Sequence, residues 1–272
     1  MQRRGLRSLM VPSLALLQIA LLGVFGCGDS EAVAPASSGE AGSDAPTSQS
    51  DGSTPLTDAT PDLPDARDGS SSLVDQQVAP AAIAVVNHSF ELPATGPNSF
   101  LTAAAPPGWQ TYGTGVDFGS RTVGVLNPNA STLYLDAVPH GQNVGVVFLL
   151  DTLPVATEAG MQQTLSETLA PGTTYALRVD VGNINPVAGL PYDFTGFPGY
   201  RIDLLAGGAV IASDAGTLSP GEGRFLLSTV TVSIGASHAR AGQPLGIRLV
   251  NLDGAPGIEV NFDNVRLTQQ RP

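Results

Sequence analysis

The sequence predicts an all-β protein, a jelly-roll β-sandwich, and three observations carry that prediction. Thr174-Tyr175-Ala176-Leu177-Arg178-Val179-Asp180-Val181 alternates strictly, with Tyr175, Leu177, Val179 and Val181 on one face and polar or small residues on the other, which is the period of a half-buried strand. The same period recurs in Tyr200 to Leu204, in Leu226 to Ile234 and in Leu245 to Leu249, and Gly, Pro, Asn and Asp clusters punctuate the runs. No stretch shows a convincing amphipathic helical period, so short strands at close spacing point to a sandwich.

From the N-terminus, Arg3, Arg4 and Arg7 precede an apolar run, Leu9 to Phe25, that leads through Gly26 to Cys27, the only cysteine. A membrane-spanning helix needs about 20 apolar residues, and this run is shorter and broken by Pro12, Gln18 and Gly23. Residues 1–26 are therefore read as a signal peptide and set apart from the fold. Val24-Phe25-Gly26-Cys27 resembles a lipobox, which implies that Cys27 is lipidated and begins a mature lipoprotein anchored in the membrane of the bacterial cell envelope. An ordinary secretory signal or an uncleaved anchor is the alternative, and each exports the chain. With no other cysteine, neither a disulfide framework nor a thiolate metal site nor a cysteine nucleophile is available.

Residues 27–80 form a second segment, rich in Ser, Ala, Pro, Asp, Gly and Thr and free of aromatic residues. Such a composition cannot bury enough apolar surface to offset its ordering entropy, so a disordered, self-repelling tether is predicted. Its ten acidic residues face the single Arg67 and supply most of the chain's net charge of -12. Residues 81–272 make one domain, long enough for a real core. They hold 14 acidic residues, 8 arginines and no lysine, a balance that argues against nucleic acid as a partner.

Within that domain, strands are predicted at Ala82 to Val86, Trp109 to Tyr112, Leu133 to Asp136, Val144 to Leu150, Met161 to Thr168 and Ile258 to Leu267, besides those above. In the last, Ile258, Val260 and Phe262 keep one parity while Val265 and Leu267 keep the other, so the frame slips at Asp263-Asn264. One extra residue in a strand is the sequence mark of a β-bulge.

At its two ends the domain is similar to calcium-binding jelly rolls of the carbohydrate-binding-module class, in the opening Asn87-His88-Ser89-Phe90-Glu91 and the closing Val260-Asn261-Phe262-Asp263-Asn264-Val265-Arg266-Leu267. That resemblance implies a structural calcium shared by Glu91 and Asp263. Calcium takes 6 to 8 oxygens, drawn from carboxylates, carbonyls and water, and first and last strands lying side by side can offer them. An exposed glutamate and a surface aspartate would be the plainer reading of the two residues.

The middle of the domain narrows the likeness. Pro107-Gly108-Trp109, Gly141-Gln142-Asn143-Val144-Gly145, Gln163-Thr164-Leu165, Val179-Asp180-Val181-Gly182-Asn183, Gly196-Phe197-Pro198-Gly199-Tyr200, Leu205-Ala206-Gly207-Gly208 and Gln243 to Leu249 resemble, in order and spacing, the calcium-dependent Stig cyclases of hapalindole-type alkaloid biosynthesis. The resemblance implies a prenylated indole held between aromatic side chains and protonated by a carboxylic acid, an aspartate near the C-terminus. Asp263 is the matching acid, with Asp253 and Glu259 as further choices. The departure is Val146 and Val147 before Phe148, which thins the aromatic box.

The long stretch from Gly182 to Gly199 reads as a binding loop. Tyr192, Phe194 and Phe197, with Tyr200 beyond them, can stack on a sugar ring or an indole, and Asp193 can hydrogen-bond a ligand or cap a turn. The rings can equally pack as a plug over the sandwich edge. Trp109 reads as a core anchor ahead of a stacking platform. His88, His140 and His238 lack metal-ligand spacing, and Ser89, Asp151 and His140 form a triad only on paper. Arg178 with Asp180, and Arg201 with Asp203, would make a charge ladder if their strands were neighbours.

Two functions follow. The preferred one, on the lipoprotein address and the thinned aromatic box, is an envelope lipoprotein whose calcium-stabilised jelly roll binds a glycan or small apolar ligand without turnover. The other is a calcium-dependent cyclase or isomerase of Stig type, acting through an acid whose pKa burial has raised.

Overall fold

The computed structural model describes residues 79–113, 115–130, 132–150, 157–254 and 256–271. The signal segment, Cys27 and all of the linker but Ala79 and Pro80 lie outside the described residues, as does Asp151. Within them, twelve strands form two antiparallel sheets and no helix occurs. The strands are β1 (Ala81–Ile83), β2 (Ser99–Leu101), β3 (Gln110–Gly113), β4 (Arg121–Asn127), β5 (Val144–Leu149), β6 (Ala159–Thr168), β7 (Thr174–Asn183), β8 (Tyr200–Ala206), β9 (Ala209–Ala215), β10 (Arg224–Ser233), β11 (Pro244–Asn251) and β12 (Glu259–Gln270). One sheet runs β10-β7-β12-β5-β4-β2, with β1 also on β12, and the other runs β3-β6-β11-β8-β9. The result is the predicted jelly-roll sandwich.

The core lies between the sheets and follows the alternation read from sequence. Tyr175, Leu177, Val179 and Val181 of β7 and Val260 and Phe262 of β12 meet Ile202 and Leu204 of β8 and Ile247 and Leu249 of β11. The frame slip is a real bulge: Asp263 pairs with Asp180 but Arg266 pairs with Arg178, so β12 carries one residue more than β7. Asn264, at φ 53°, absorbs it, and Val265 and Leu267 return to the core.

Trp109 belongs to this core, stacked on Phe90 at 5.3 Å with its indole N–H donating to the Asn87 carbonyl. Two expectations differ from the structure, and three strands lie outside the runs read from sequence. Leu133 to Asp136 forms no strand, because its backbone is spent elsewhere: Leu133 and Tyr134 donate to the Asn129 carbonyl and Leu135 to that of Gly223. β2, β4 and β9 were not anticipated. Arg178-Asp180 and Arg201-Asp203 do not form one ladder, since β7 and β8 belong to different sheets.

Candidate active site

Strand register defines what stands on the outer face of the seven-stranded sheet, because antiparallel partners share a face. Glu259 pairs with Phe148, and Phe148 with Thr122. One step along, Asn261 pairs with Val146 and Gly182, and Gly182 with Phe225. A further step brings Asp263, Asp180 and Leu227 together. β12 thus lays Glu259, Asn261 and Asp263 along the outside while Val260 and Phe262 fill the inside.

A second apolar cluster covers this outer face. Leu126, Val144, Val146, Phe148 and Ile184 are buried in it, and Leu133, Phe194, Phe225 and Ile258 pack against them. Phe148 is its aromatic centre, with ring centroids 5.2 Å from Tyr192 and 6.1 Å from Phe194. Opposite, Tyr134 stacks on Phe225 at 4.4 Å. The stack is possible because β7 has Gly182 beneath it: a Cβ there would come within 2.4 Å of the Phe225 ring and 2.8 Å of the Tyr134 hydroxyl oxygen.

Glu259 is the acid of this cluster. Its carboxyl is buried at 7% exposure, and that burial pushes its pKa up to about 7, opposed only by a hydrogen bond from Asn261. Asn261 Nδ2 donates to Glu259 Oε1 at 2.9 Å, and the Tyr134 hydroxyl donates to Asn261 Oδ1. The Tyr134 phenol is itself pushed well above its ordinary value, first by burial and then by Glu259 and Asp263. An acid whose pKa burial raises toward neutrality, in an aromatic setting, meets the condition a general acid needs.

Asp263 sits two steps further along β12 and is differently engaged. Its Oδ2 accepts the His140 N–H at 2.7 Å and its Oδ1 accepts the Asn264 N–H at 2.6 Å. Glu91 Oε1 accepts the N–H groups of Gln142 and Asn143, each at 2.9 Å. The turn through residues 140–143 therefore ties both carboxylates, and it needs Gly141, where a Cβ would lie 2.2 Å from Glu91 Oε1. Burial pushes Asp263 up to about 8, with the charges of Asp180 and Glu91 adding to it.

Neither carboxylate has a salt-bridge partner among the described residues. Two carboxyls gathered at one turn without a salt-bridge partner are oxygen donors of the kind a hard, oxygen-preferring cation takes. No cluster of three or more His, Cys, Asp or Glu side chains that could hold a metal ion occurs among the described residues. The opening motif explains how Glu91 arrives there. Asn87 accepts the Leu92 N–H and donates to the Leu92 carbonyl, clamping the turn, while Phe90 plugs the core.

The remaining predicted site residues divide. Tyr192, 42% exposed, and Phe194 join Phe148 over the outer face. Phe197 and Tyr200 turn inward to the main core, where the Tyr200 hydroxyl donates to Asp214 at 2.6 Å. Asp193 caps its own turn through the Thr195 N–H. Asp253, a further choice of acid, is held by Arg121 at 3.1 Å and by the Thr157 N–H. Sequence reasoning did not bring Tyr134, Phe225 or Asn261 to the site. The signal for Asn261 was present in the parity of β12, whereas Tyr134 and Phe225 meet only through the fold.

Comparison with known proteins gives these residues a context. The family model HpiC1-like, described as HpiC1 cyclase, matches residues 81–268. The crystal structure of the Stig cyclase Fisc from Fischerella sp. TAU, bound to (3Z)-3-(1-methyl-2-pyrrolidinylidene)-3H-indole, is similar at 36% identity and a TM-score of 0.66, covering 71% of this chain and 99% of that one. An apo cyclase from Fischerella sp. is similar at 37% identity and a TM-score of 0.65, covering 70% and 97%. A Fischerella sp. TAU cyclase in complex with 4-(1H-indol-3-yl)butan-2-one matches at 37% identity and a TM-score of 0.63, covering 70% and 98%. No curated protein matches. These likenesses favour the cyclising reading, and the turnover-free, glycan-binding one finds no support in them. Matched by the family model from residue 81 to residue 268 and by solved relatives along nearly their whole length, the chain belongs to the HpiC1-like family of Stig cyclases.

Proposed function

We propose that this protein is an acid-dependent cyclase whose substrate is an unsaturated, apolar compound bearing a flat aromatic ring system of indole size. The observation that carries the reading is Glu259, a buried acid with its pKa raised to about 7 among Phe148, Phe194, Tyr192 and the Tyr134–Phe225 stack. Glu259 gives its proton to an alkene carbon of the substrate, and the substrate's aromatic ring attacks the resulting carbocation to form the new carbon–carbon bond. A ring proton is then lost, and Glu259 regains one, so the net change is an isomerisation. Ring faces directed at the cationic centre stabilise it as it forms.

Asp263 is the poorer donor, since both its oxygens already accept backbone N–H groups and Glu91 stands beside it. With Glu91 it forms the calcium site of this reading. The ion, when bound, supplies positive charge that holds the two carboxylates ionised and joins the first and last parts of the domain. Indole-bound relatives support the ligand class.

The decisive experiment is turnover of a prenylated indole by wild type and by Glu259→Gln and Asp263→Asn, each in saturating calcium. Loss of at least about a hundredfold in kcat with Glu259→Gln, at unchanged substrate binding, is the expected result. An Asp263→Asn variant that alone loses turnover while keeping its calcium response would place the acid there instead.

The address of the protein belongs to the same proposal: export, lipidation of Cys27 and display on the cell envelope through the acidic tether. It rests on the sequence of residues 1–80. Cys27→Ser should move the protein from the detergent-soluble membrane fraction to the aqueous one, and an unchanged distribution would remove the anchor.

A further inference from the structure

On the reading of Glu259 as proton donor, we propose that Tyr134 and Asn261 are positioning residues: the phenol fixes the Asn261 amide with its N–H toward Glu259 Oε1, leaving Oε2 to present the proton. A primary amide has one accepting and one donating end. Here the accepting end meets the Tyr134 hydroxyl, while the donating end meets Glu259 Oε1 at 2.9 Å and the Gly145 carbonyl at 3.5 Å. The Gly145 carbonyl can only accept, so it favours the orientation that turns Nδ2 toward it, and the phenol, donating to Oδ1, holds the amide in that orientation.

Tyr134 is in turn held in place. It is 1% exposed, stacked on Phe225, and seated over Gly182, whose missing side chain makes room for the hydroxyl. A carboxylic acid that accepts an N–H at one oxygen carries its proton on the other. Among the described residues only Asn261 hydrogen-bonds to the Glu259 carboxyl, through Oε1, so Oε2 is the oxygen left for the substrate.

The orientation has a consequence for titration. The N–H of Asn261 favours the carboxylate and opposes the effect of burial. Reversed, the amide would offer Oδ1 and favour the protonated acid instead. The surrounding groups leave this bond little competition. β12 carries Asp263 two steps away, and β7 carries Asp180 beside it. β5 and β4 present the uncharged Phe148 and Thr122. The loop side brings Tyr134 and Tyr192, and Asp193 there is spent on its own turn.

The test is an infrared titration of the buried carboxyl stretch in the full chain, with the Glu259 band assigned by its loss in Glu259→Gln. Tyr134→Phe should raise the midpoint by about one pH unit, the size of one hydrogen bond to a charged group. Asn261→Leu, which removes the amide altogether, should raise it as well, and it decides the matter if Tyr134→Phe does not fold. With a prenylated indole, the alkaline limb of kcat in Tyr134→Phe should move by the same amount. An unmoved or lowered midpoint in the folded variants, with turnover intact, overturns the positioning role and leaves the cyclase reading in place. A raised midpoint in a chain that turns over no prenylated indole upholds the amide lock and overturns the cyclase reading.

Discussion

Replacing Glu259 by Gln should reverse part of the pH dependence of folding. The carboxyl goes from an ordinary value of 4.5 to about 7 on burial, and each pH unit of difference is worth about 1.4 kcal/mol. A raised acid binds protons more tightly in the folded state. Its contribution is therefore fully present below pH 4.5, is lost as pH climbs toward 7, and stays lost above. The difference between the two values makes that loss about 3 kcal/mol. Gln keeps the shape and the acceptor for Asn261 but has nothing to ionise, so it escapes the loss. Urea unfolding at pH 4.5 and pH 8, in chelator, isolates this contribution, because Asp263 and Asp180 titrate alike in both proteins. Wild type should lose about 3 kcal/mol more than Glu259→Gln over that interval. Parallel losses in the two proteins would refute the burial argument and, with it, the assignment of Glu259 as a poised acid.

Calcium should raise the melting temperature of wild type over chelator, and the increment should shrink in Glu91→Ala and Asp263→Ala; an undiminished increment in both would move the ion elsewhere. Because Asp263 without an ion is pushed up to about 8, the increment should also grow between pH 6 and pH 8 as the competing proton leaves. Gly141→Ala forces a side chain onto Glu91 at a backbone φ of 70° and should cost about 1–3 kcal/mol by denaturant unfolding, together with part of the calcium response. Tyr192→Ala, at a half-exposed ring, should change stability by less than about 1 kcal/mol yet raise KM for an aromatic substrate; equal effects on both would make it a packing residue only.

The architecture was legible where one sheet face is buried and the other is not. β7, β8, β10 and β11 show period two because the core dictates it, and the bulge at Asp263-Asn264 shows as a broken period. β4 escaped because every residue from Arg121 to Asn127 is buried, on both faces, which erases the alternation. The candidate site was only partly visible in sequence. Glu91 and Asp263 stand in motifs, whereas the Glu259 carboxyl owes its raised pKa to an apolar cover built from β4, β5 and the 184–194 segment. The aromatic residues of the loop were visible as a group, but nothing in their order tells that Phe194 packs outward while Phe197 and Tyr200 pack inward.

The alternation of β12 also makes the strand a graduated scale for the proton. Its outward positions, Glu259, Asn261 and Asp263, stand about 6.6 Å apart, two residues of strand rise, and none of them contributes to the inner core. An acid can therefore be moved by one mark along the scale without disturbing the packing of Val260 and Phe262. A move of that length is comparable to the width of an indole, so on the proposed reading it would change which carbon of the substrate receives the proton. On the proposed cyclase reading, an address along one strand would then set the position of the new ring bond, with the rest of the fold free to stay as it is.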